Sequence, residues 1–329
     1  MIVYLVLVVT SAALALMLTP LVGRSATRLG LVDIPGGRKV HPLSVPRLGG
    51  VAVVLAGALA LWFAHLIPDI DVPARAAEAM LPFLLSGALI FAAGLIDDVR
   101  GLGPVTKLLL ECAAAAIVMA NGLLIERVTL LGHTWTLGAL AWLVTATWLV
   151  GLTNAFNLID GIDGLAAGIT AIAGSACAAI LVARGHAPEA MLLSALVGAA
   201  LGFLAYNFSP ASIFLGDSGS LLAGFLLAAT AITGWQKGAT ALAAGVPMLI
   251  FALPIADSAL ALVRRVSAPP TKGRSLRTTL RQIAQPDREH IHHRLLAYGW
   301  SARRTVLVLY GITAILSLLA LATADVTQR

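Results

Sequence analysis

Five stretches of the chain concentrate the residue types that handle phosphate. "NAFNLIDGIDGLAAG" (154–168) carries Asn154, Asn157, Asp160 and Asp163 among three glycines. "GLIDDVRGLGPVTKLLLE" (94–111) supplies the adjacent Asp97 and Asp98, then Lys107. "YNFSPASIFLGDSGSLLAGF" (206–225) supplies Asn207, Phe214 and Asp217. "LVDIPGGRKVHPLSVPRLGG" (31–50) contains Asp33, Arg38, Lys39, His41 and Arg47, and "PDREHIHHRL" (286–295) holds three of the seven histidines. Clustered carboxylates and a carboxamide suit a hard cation such as Mg²⁺, which takes oxygen ligands and shares them with substrate phosphates. Lys, Arg and His suit phosphate oxygens, glycines let backbone N–H groups approach them, and an aromatic ring can stack on a base. Together these parts describe metal-assisted phosphoryl transfer, in which catalysis is mostly positioning and charge neutralisation.

The elements that must position these residues are membrane helices. The chain has 329 residues, 59% hydrophobic and 12% charged, against about a quarter charged in soluble domains. The apolar residues form blocks of roughly 15 to 22, the length that spans a hydrocarbon core as helix. They predict an all-α polytopic integral membrane protein with about ten spans, near 2–22, 49–66, 80–96, 106–123, 139–153, 164–183, 190–206, 218–234, 240–263 and 305–323. The first block lacks a basic leader and a good cleavage site, so it reads as a helix and not a signal peptide. Between spans 4 and 5, residues 125–137 alternate as a small hairpin with Gly132 at its turn. Cys112 and Cys177 both lie within spans and read as small packing residues, with no disulfide or zinc spacing.

Charge orients this array. Loops after the odd-numbered spans hold 17 of the 22 Lys and Arg residues, and the opposite side holds five. The positive-inside rule makes the basic side cytoplasmic and puts both termini outside. The basic residues flank spans and form no single patch, which argues against nucleic acid and for anionic lipid. The five loop aspartates (97, 98, 160, 163 and 217) and the clustered histidines all fall on that same side. This predicts one active site assembled at the cytoplasmic face. Each piece also has a plain structural reading. Asp97, Asp98 and Asp217 could cap helices, Asp33 could serve a turn, and Phe214 could be a packing contact. The histidines could form a solvated helix face. Asp257, inside span 9, could satisfy a neighbouring helix or mark function.

The five motifs, in this order and between spans, resemble the polyprenyl-phosphate N-acetylhexosamine-1-phosphate transferases. The closer likeness is to the bacterial undecaprenyl-phosphate GlcNAc-1-phosphate transferase branch, with the phospho-MurNAc-pentapeptide transferases as relatives. The likeness covers about residues 30–296 of one domain, 1–329. It implies transfer of a sugar 1-phosphate from a UDP-sugar to undecaprenyl phosphate in the bacterial plasma membrane, releasing UMP, as the first membrane step of an envelope polysaccharide. It further implies that Asn157 and Asp217 bind Mg²⁺, with Mn²⁺ left open as a substitute. Asp163 would lie near the uracil and Phe214 would stack on it. Asp97 and Asp98 match an acidic pair of which one member orients or deprotonates the lipid phosphate, and Lys107 matches a lysine near that phosphate. His292, His293 and Arg294 match a group that contacts the diphosphate, and Arg47 belongs to the first-loop motif without a role. Asn154 and Asp160 join the substrate-side candidates, with helix capping as the alternative.

The lipid phosphate is already anionic, so its difficulty is repulsion from the diphosphate and not lack of a base. That favours direct attack over a covalent intermediate on Asp97 or Asp98. The order "HIHHRL", in place of three consecutive histidines, resembles the GlcNAc-type branch. UDP-MurNAc-pentapeptide, UDP-GalNAc, UDP-QuiNAc and UDP-FucNAc stay open, with 267–285 a candidate selecting loop. A homodimer is also left open. A secondary transporter is the rival of a different class, but it would place its acids near the bilayer midplane. A non-catalytic scaffold is the other.

Overall fold

The computed structural model describes residues 1–33, 44–66, 76–130, 133–235, 245–267 and 290–326. Arg38, Lys39 and His41 of the first basic loop, the turn at Gly132 and the candidate selecting loop beyond Ser267 lie outside the described residues. The chain forms an all-helical polytopic membrane protein. Its helices are α1 (Ile2–Arg28), α2 (Gly49–Ala64), α3 (Ala76–Arg100), α4 (Pro104–Ala120), α5 (Leu140–Ile159) and α6 (Leu165–Ala183), followed by α7 (Ala187–Asn207), α8 (Gly216–Trp235), α9 (Gly245–Ile250), α10 (Ala252–Ser267), α11 (Ile291–Ala297) and α12 (Ala302–Val326). Seven of the described helices, α1, α3, α5 to α8 and α12, are long and apolar enough to cross a bilayer. The expected second and fourth spans are the shorter α2 and α4, and the ninth is divided into α9 and α10 around Phe251. In α4 the apolar length is shortened by Lys107 and Glu111 in its first two turns.

Two antiparallel pairs complete the chain. β1 (Val32–Asp33) pairs with β2 (Val45–Pro46), in register Val32 to Pro46. The expected hairpin is present as β3 (Arg127–Leu130) on β4 (His133–Thr136), in register Arg127 to Thr136. Asp33, expected at a turn, is buried in β1 and ion-paired to Arg47. The pairing of β1 with β2 brings the two together, and the buried carboxylate requires a partner. Cys177 is buried as expected, whereas Cys112 is exposed on the outer surface of α4.

Without a hydrophobic drive between helices in lipid, close packing depends on small residues. On α7, Gly198 and Gly202 are four apart, and α1 fills the space a Cβ would need there through Val8, Ser11, Ala12 and Ala15. The same device builds the polar end of the bundle. Gly50 of α2 and Gly94 of α3 both lie directly against the first turn of α8, at Ser218 and Gly219 and at Asp217 and Ser218 respectively. Helices α3, α5 and α6 also pack on α8, and Trp148 of α5 donates its indole N–H to the Ala228 carbonyl of α8 at 3.0 Å. Phe251, at the break between α9 and α10, sets its ring edge-on to Trp148 and Phe156 of α5. Inside the spans Ser11, Thr145 and Thr153 donate to carbonyls one turn back, so these hydroxyls carry no unpaired donor into lipid.

Candidate active site

Alternating helix directions bring the carboxyl ends of α3 and α5 and the amino ends of α4, α6 and α8 to one end of the bundle. The α3–α4 connection is short for a stated reason. Gly101 takes a positive φ of 74°, reversing the chain after Arg100, and Pro104 opens α4 at its first turn, where no backbone N–H is needed. Asp97 Oδ1 accepts the Leu102 amide at 2.5 Å within this turn. Lys107 is thereby returned beside Asp97, with Nζ 3.1 Å from Oδ2.

Around that ammonium the site closes. Lys107 Nζ also donates to Asn157 Oδ1 of α5 at 3.3 Å and forms an ion pair with Asp217 of α8. Asn157 turns its other side, Nδ2, to Asp217 Oδ1 at 2.9 Å and Ser220 Oγ at 3.0 Å. Four helices therefore contribute one side chain each to a cluster in which three oxygens surround a cation. Among the described residues, no three His, Cys, Asp or Glu side chains form a metal-ligating group. The oxygen set here is two carboxylates and a carboxamide. It fits a hard cation that keeps waters and takes its remaining ligands from substrate phosphates. Asn157 Oδ1 and Asp217 Oδ2 both face the Lys107 ammonium.

Asp98, next to Asp97, is used differently. Its Oδ1 accepts the Asp217 amide at 2.8 Å, and its Oδ2 accepts the Ser218 amide at 3.0 Å and the Ser218 hydroxyl at 2.7 Å. A carboxylate from α3 thus caps α8, satisfying free N–H groups and meeting the positive end of the helix dipole. Gly216 makes room for it: its positive φ of 76° turns the chain into α8, and Asp98 and the Arg47 carbonyl occupy the space where a Cβ would sit. Capping, one of the two readings open for the acidic pair, is what Asp98 does here, for another helix than its own.

The loop between α5 and α6 lies beside this cluster. Asp160 is half-buried with the Gly216 amide as a hydrogen-bond partner. Desolvation and the nearby Asp217, Asp98 and Asp163 push its carboxyl well above the usual range. Asp163 Oδ2 accepts the Ala211 amide at 2.9 Å, tying this loop to the segment before α8. Gly164 donates its N–H to Asn207 Oδ1 at 3.1 Å and accepts the Tyr310 hydroxyl at 2.5 Å. Phe214 is half-buried; its amide donates to the Pro46 carbonyl at 2.8 Å and its carbonyl accepts the Gly49 amide at 2.9 Å. Arg47 reaches Asp33 with its side chain and Gly216 with its carbonyl.

The histidines meet this loop from α11. His290 and His292 are buried, which removes the alternative of a solvated helix face; only Arg294 of the group is exposed. His292 Nε2 would lie 2.8 Å from a Cβ at position 161, so glycine there lets the ring pack against the loop. Burial, then the neighbouring His293, hold the His292 imidazole down to about 4, so it is neutral at physiological pH. The rings of His292 and His293 are 4.3 Å apart.

One residue near the cluster is missing from the candidates, although an acid inside the expected fourth span is itself a signal. Glu111 lies four positions after Lys107, on the same face of α4, and is 2% exposed. It takes a hydrogen bond from Asn154 Nδ2, which also donates to the Val150 carbonyl at 2.9 Å. Asn154 is thus engaged one turn deeper than Asn157, on a buried carboxyl group.

Known proteins resemble this chain along most of its length. The model of "Glycosyl transferase family 4" matches residues 80–235, which include Asp97, Lys107, Asn157 and Asp217. The chain is 36% identical over 325 residues to the probable undecaprenyl-phosphate N-acetylglucosaminyl 1-phosphate transferase of Bacillus subtilis, covering 97% of this chain and 84% of the relative. It is 36% identical over 331 residues to the decaprenyl-phosphate N-acetylglucosaminephosphotransferase of Mycobacterium tuberculosis, covering 93% and 79%. It is 28% identical over 299 residues to the undecaprenyl-phosphate alpha-N-acetylglucosaminyl 1-phosphate transferase of Escherichia coli, covering 89% and 76%. With its helical membrane architecture, its polar cluster inside the matched region and these full-length relatives, the chain belongs to glycosyl transferase family 4.

Proposed function

We propose that this protein transfers N-acetylglucosamine 1-phosphate from UDP-GlcNAc to undecaprenyl phosphate at the cytoplasmic face of the bacterial plasma membrane, releasing UMP. The observation that carries the reading is the convergence of Asp97, Lys107, Asn157 and Asp217 from four helices at the basic end of the bundle. The names of the relatives support the sugar and the lipid. The excess of Lys and Arg at that end supports the orientation, with both termini outside.

An oxygen of the lipid phosphate forms a bond to the sugar-linked phosphorus, and the bond from that phosphorus to the bridging oxygen breaks, leaving UMP. Both reactants are anions, so the barrier is largely repulsion. Lys107 offsets that charge at the cluster's centre, and Asp97, its partner on α3, orients the ammonium toward the incoming phosphate. Asn157 and Asp217 would hold Mg²⁺, which when bound supplies further neutralisation of the diphosphate. His292, held neutral, offers a hydrogen-bonding ring nitrogen and not a charge, while Arg294 keeps its charge in solvent. Asp163 and Phe214 flank the segment that would receive the uracil. Asp98 acts through α8: with both oxygens taken by three donors, it is poorly placed to serve as a nucleophile, and direct attack is favoured. Holding the two substrates together contributes several kcal/mol more.

The test is a detergent-solubilised assay with undecaprenyl phosphate and a panel of UDP-sugars, with and without Mg²⁺. The expected result is Mg²⁺-dependent UMP release with UDP-GlcNAc. Turnover only with UDP-MurNAc-pentapeptide, or UMP release without a lipid acceptor, would defeat the sugar assignment or direct attack respectively.

A further inference from the structure

Asp257 takes no part in the chemistry above, yet it is an acid 2% exposed on α10. Both of its oxygens are engaged by α11 and the residue before it. Oδ2 lies 2.9 Å from His290 Nδ1, and Oδ1 accepts the Ile291 amide at 2.7 Å. The contact continues outward through the rings. His290 stacks on His292 with centroids 5.8 Å apart and planes within 5°, and His292 lies against His293. At the far end, His292 Nε2 is buried without a hydrogen-bond partner among the described residues and faces Gly161 in the loop that follows Asn157.

We propose that Asp257 is a positioning residue for substrate binding: its carboxylate docks the histidine segment on the bundle and fixes the His290 ring, which aligns His292 and His293 beside the α5–α6 loop. With a carboxylate as partner, His290 Nδ1 is the donor, so one tautomer and one ring orientation are selected. A flat stack passes that orientation to His292, whose Nε2 has no hydrogen-bond partner among the described residues. The device accounts for a buried acid in α10: its desolvation is offset by an amide and an imidazole, both on the segment it holds. The inference rests on the proposed role of the histidines at the diphosphate of the nucleotide sugar.

The full-length protein in detergent tests this with Asp257→Asn and Asp257→Ala. An asparagine keeps an acceptor for the Ile291 amide but turns an N–H₂ toward His290 Nδ1, which removes the charge-assisted bond and disfavours the Nδ1–H tautomer. The first readout needs no turnover: modification of His290 and His292 by diethyl pyrocarbonate, located by mass spectrometry. Wild type is expected to protect both rings, and Asp257→Asn to expose them, with a rate increase on the order of tenfold, the effect of losing one charge-assisted hydrogen bond. The second readout is a split between substrates: KM for the UDP-sugar rises on the order of tenfold while KM for the lipid phosphate stays unchanged. His290→Gln should give the same rise, and the double variant no further one. Wild-type histidine reactivity with wild-type KM values in Asp257→Asn overturns the proposal. So does an equal loss for both substrates with a collapsed melting temperature, which would mark a fold residue only. If Asp257→Ala fails to fold, Asp257→Asn decides. A wild-type protein inactive on every UDP-sugar would defeat the functional reading, while the modification experiment would still judge the clamp.

Discussion

Four long helices hold the carboxylate–ammonium cluster, whereas a seven-residue helix and one buried carboxylate hold the imidazole cluster. In the first, every charged group touches a partner from another helix: Asp97 and Asp217 meet Lys107, and Asp98 meets the start of α8. In the second, the rings are buried against each other and His292 is kept neutral. The lesson is a division of labour. A site that must neutralise phosphate charge needs fixed charges on rigid supports. A site that must grip and release a substrate can use neutral donors on a short element clamped at one point.

This comparison can be broken most directly within the acidic cluster. Asp217→Asn and Lys107→Met should each lower kcat by about 10²–10³-fold, as loss of a positioned charge at a reacting phosphate does, with melting temperature little changed. A steady-state UMP-release assay beside a thermal melt checks this, and a variant within tenfold of wild type would remove the cluster from the chemistry. The adjacent aspartates then separate the two functions of one motif. Asp97→Asn should follow Asp217→Asn in kcat, whereas Asp98→Asn should lower stability by about 1–2 kcal/mol, the worth of a helix cap. If both variants behave alike in melt and turnover, the division between charge and cap is wrong.

The imidazole cluster should respond to acid through His292. The native His292 titrates at about 4, while an unfolded histidine titrates near 6.5. Between those values the unfolded chain binds the extra proton, so the contribution of His292 to stability is present above about 6.5 and is lost as pH drops to about 4. The groups facing His292 are His293, Asp257 and His290. Thermal melts across that range should show the slope in wild type and a shallower one in His292→Gln; equal slopes would mean that His292 is not the group responsible. The smallest effect is expected at Gly161→Ala. The added carbon would meet His292 Nε2 at 2.8 Å, displacing the end of one ring, so KM for the nucleotide sugar should rise a few-fold with kcat retained. An unchanged KM would show that the ring does not need this seat.

Much of the architecture was legible because it depends on local sums. Apolar blocks long enough to cross a bilayer pay a prohibitive cost for any other exposure, and Gly or Pro between them mark where each helix stops. The membrane helices and the hairpin near 125–137 follow from this. The fourth and ninth spans were less legible, because Lys107 and Glu111 shorten one and the break at Phe251 divides the other. Motif order pointed to the family, and charge bias pointed to one polar end.

Sequence by itself determined that the chain is a polytopic helical membrane protein and which five stretches carry its polar residues. Tertiary structure decided which of those residues meet. Lys107 reaches Asp97 ten positions away and Asp217 110 positions away. Asp98 and Asp97 are neighbours in the chain, but they point to different partners and so to different tasks. Asn154 was drawn to Glu111 and Asp257 to His290, pairings that no spacing announces. The physical reason is that burial is a property of a segment, whereas the partner of a buried polar group is chosen by proximity in three dimensions. Helix crossings made close by Gly50 and Gly94 set that proximity.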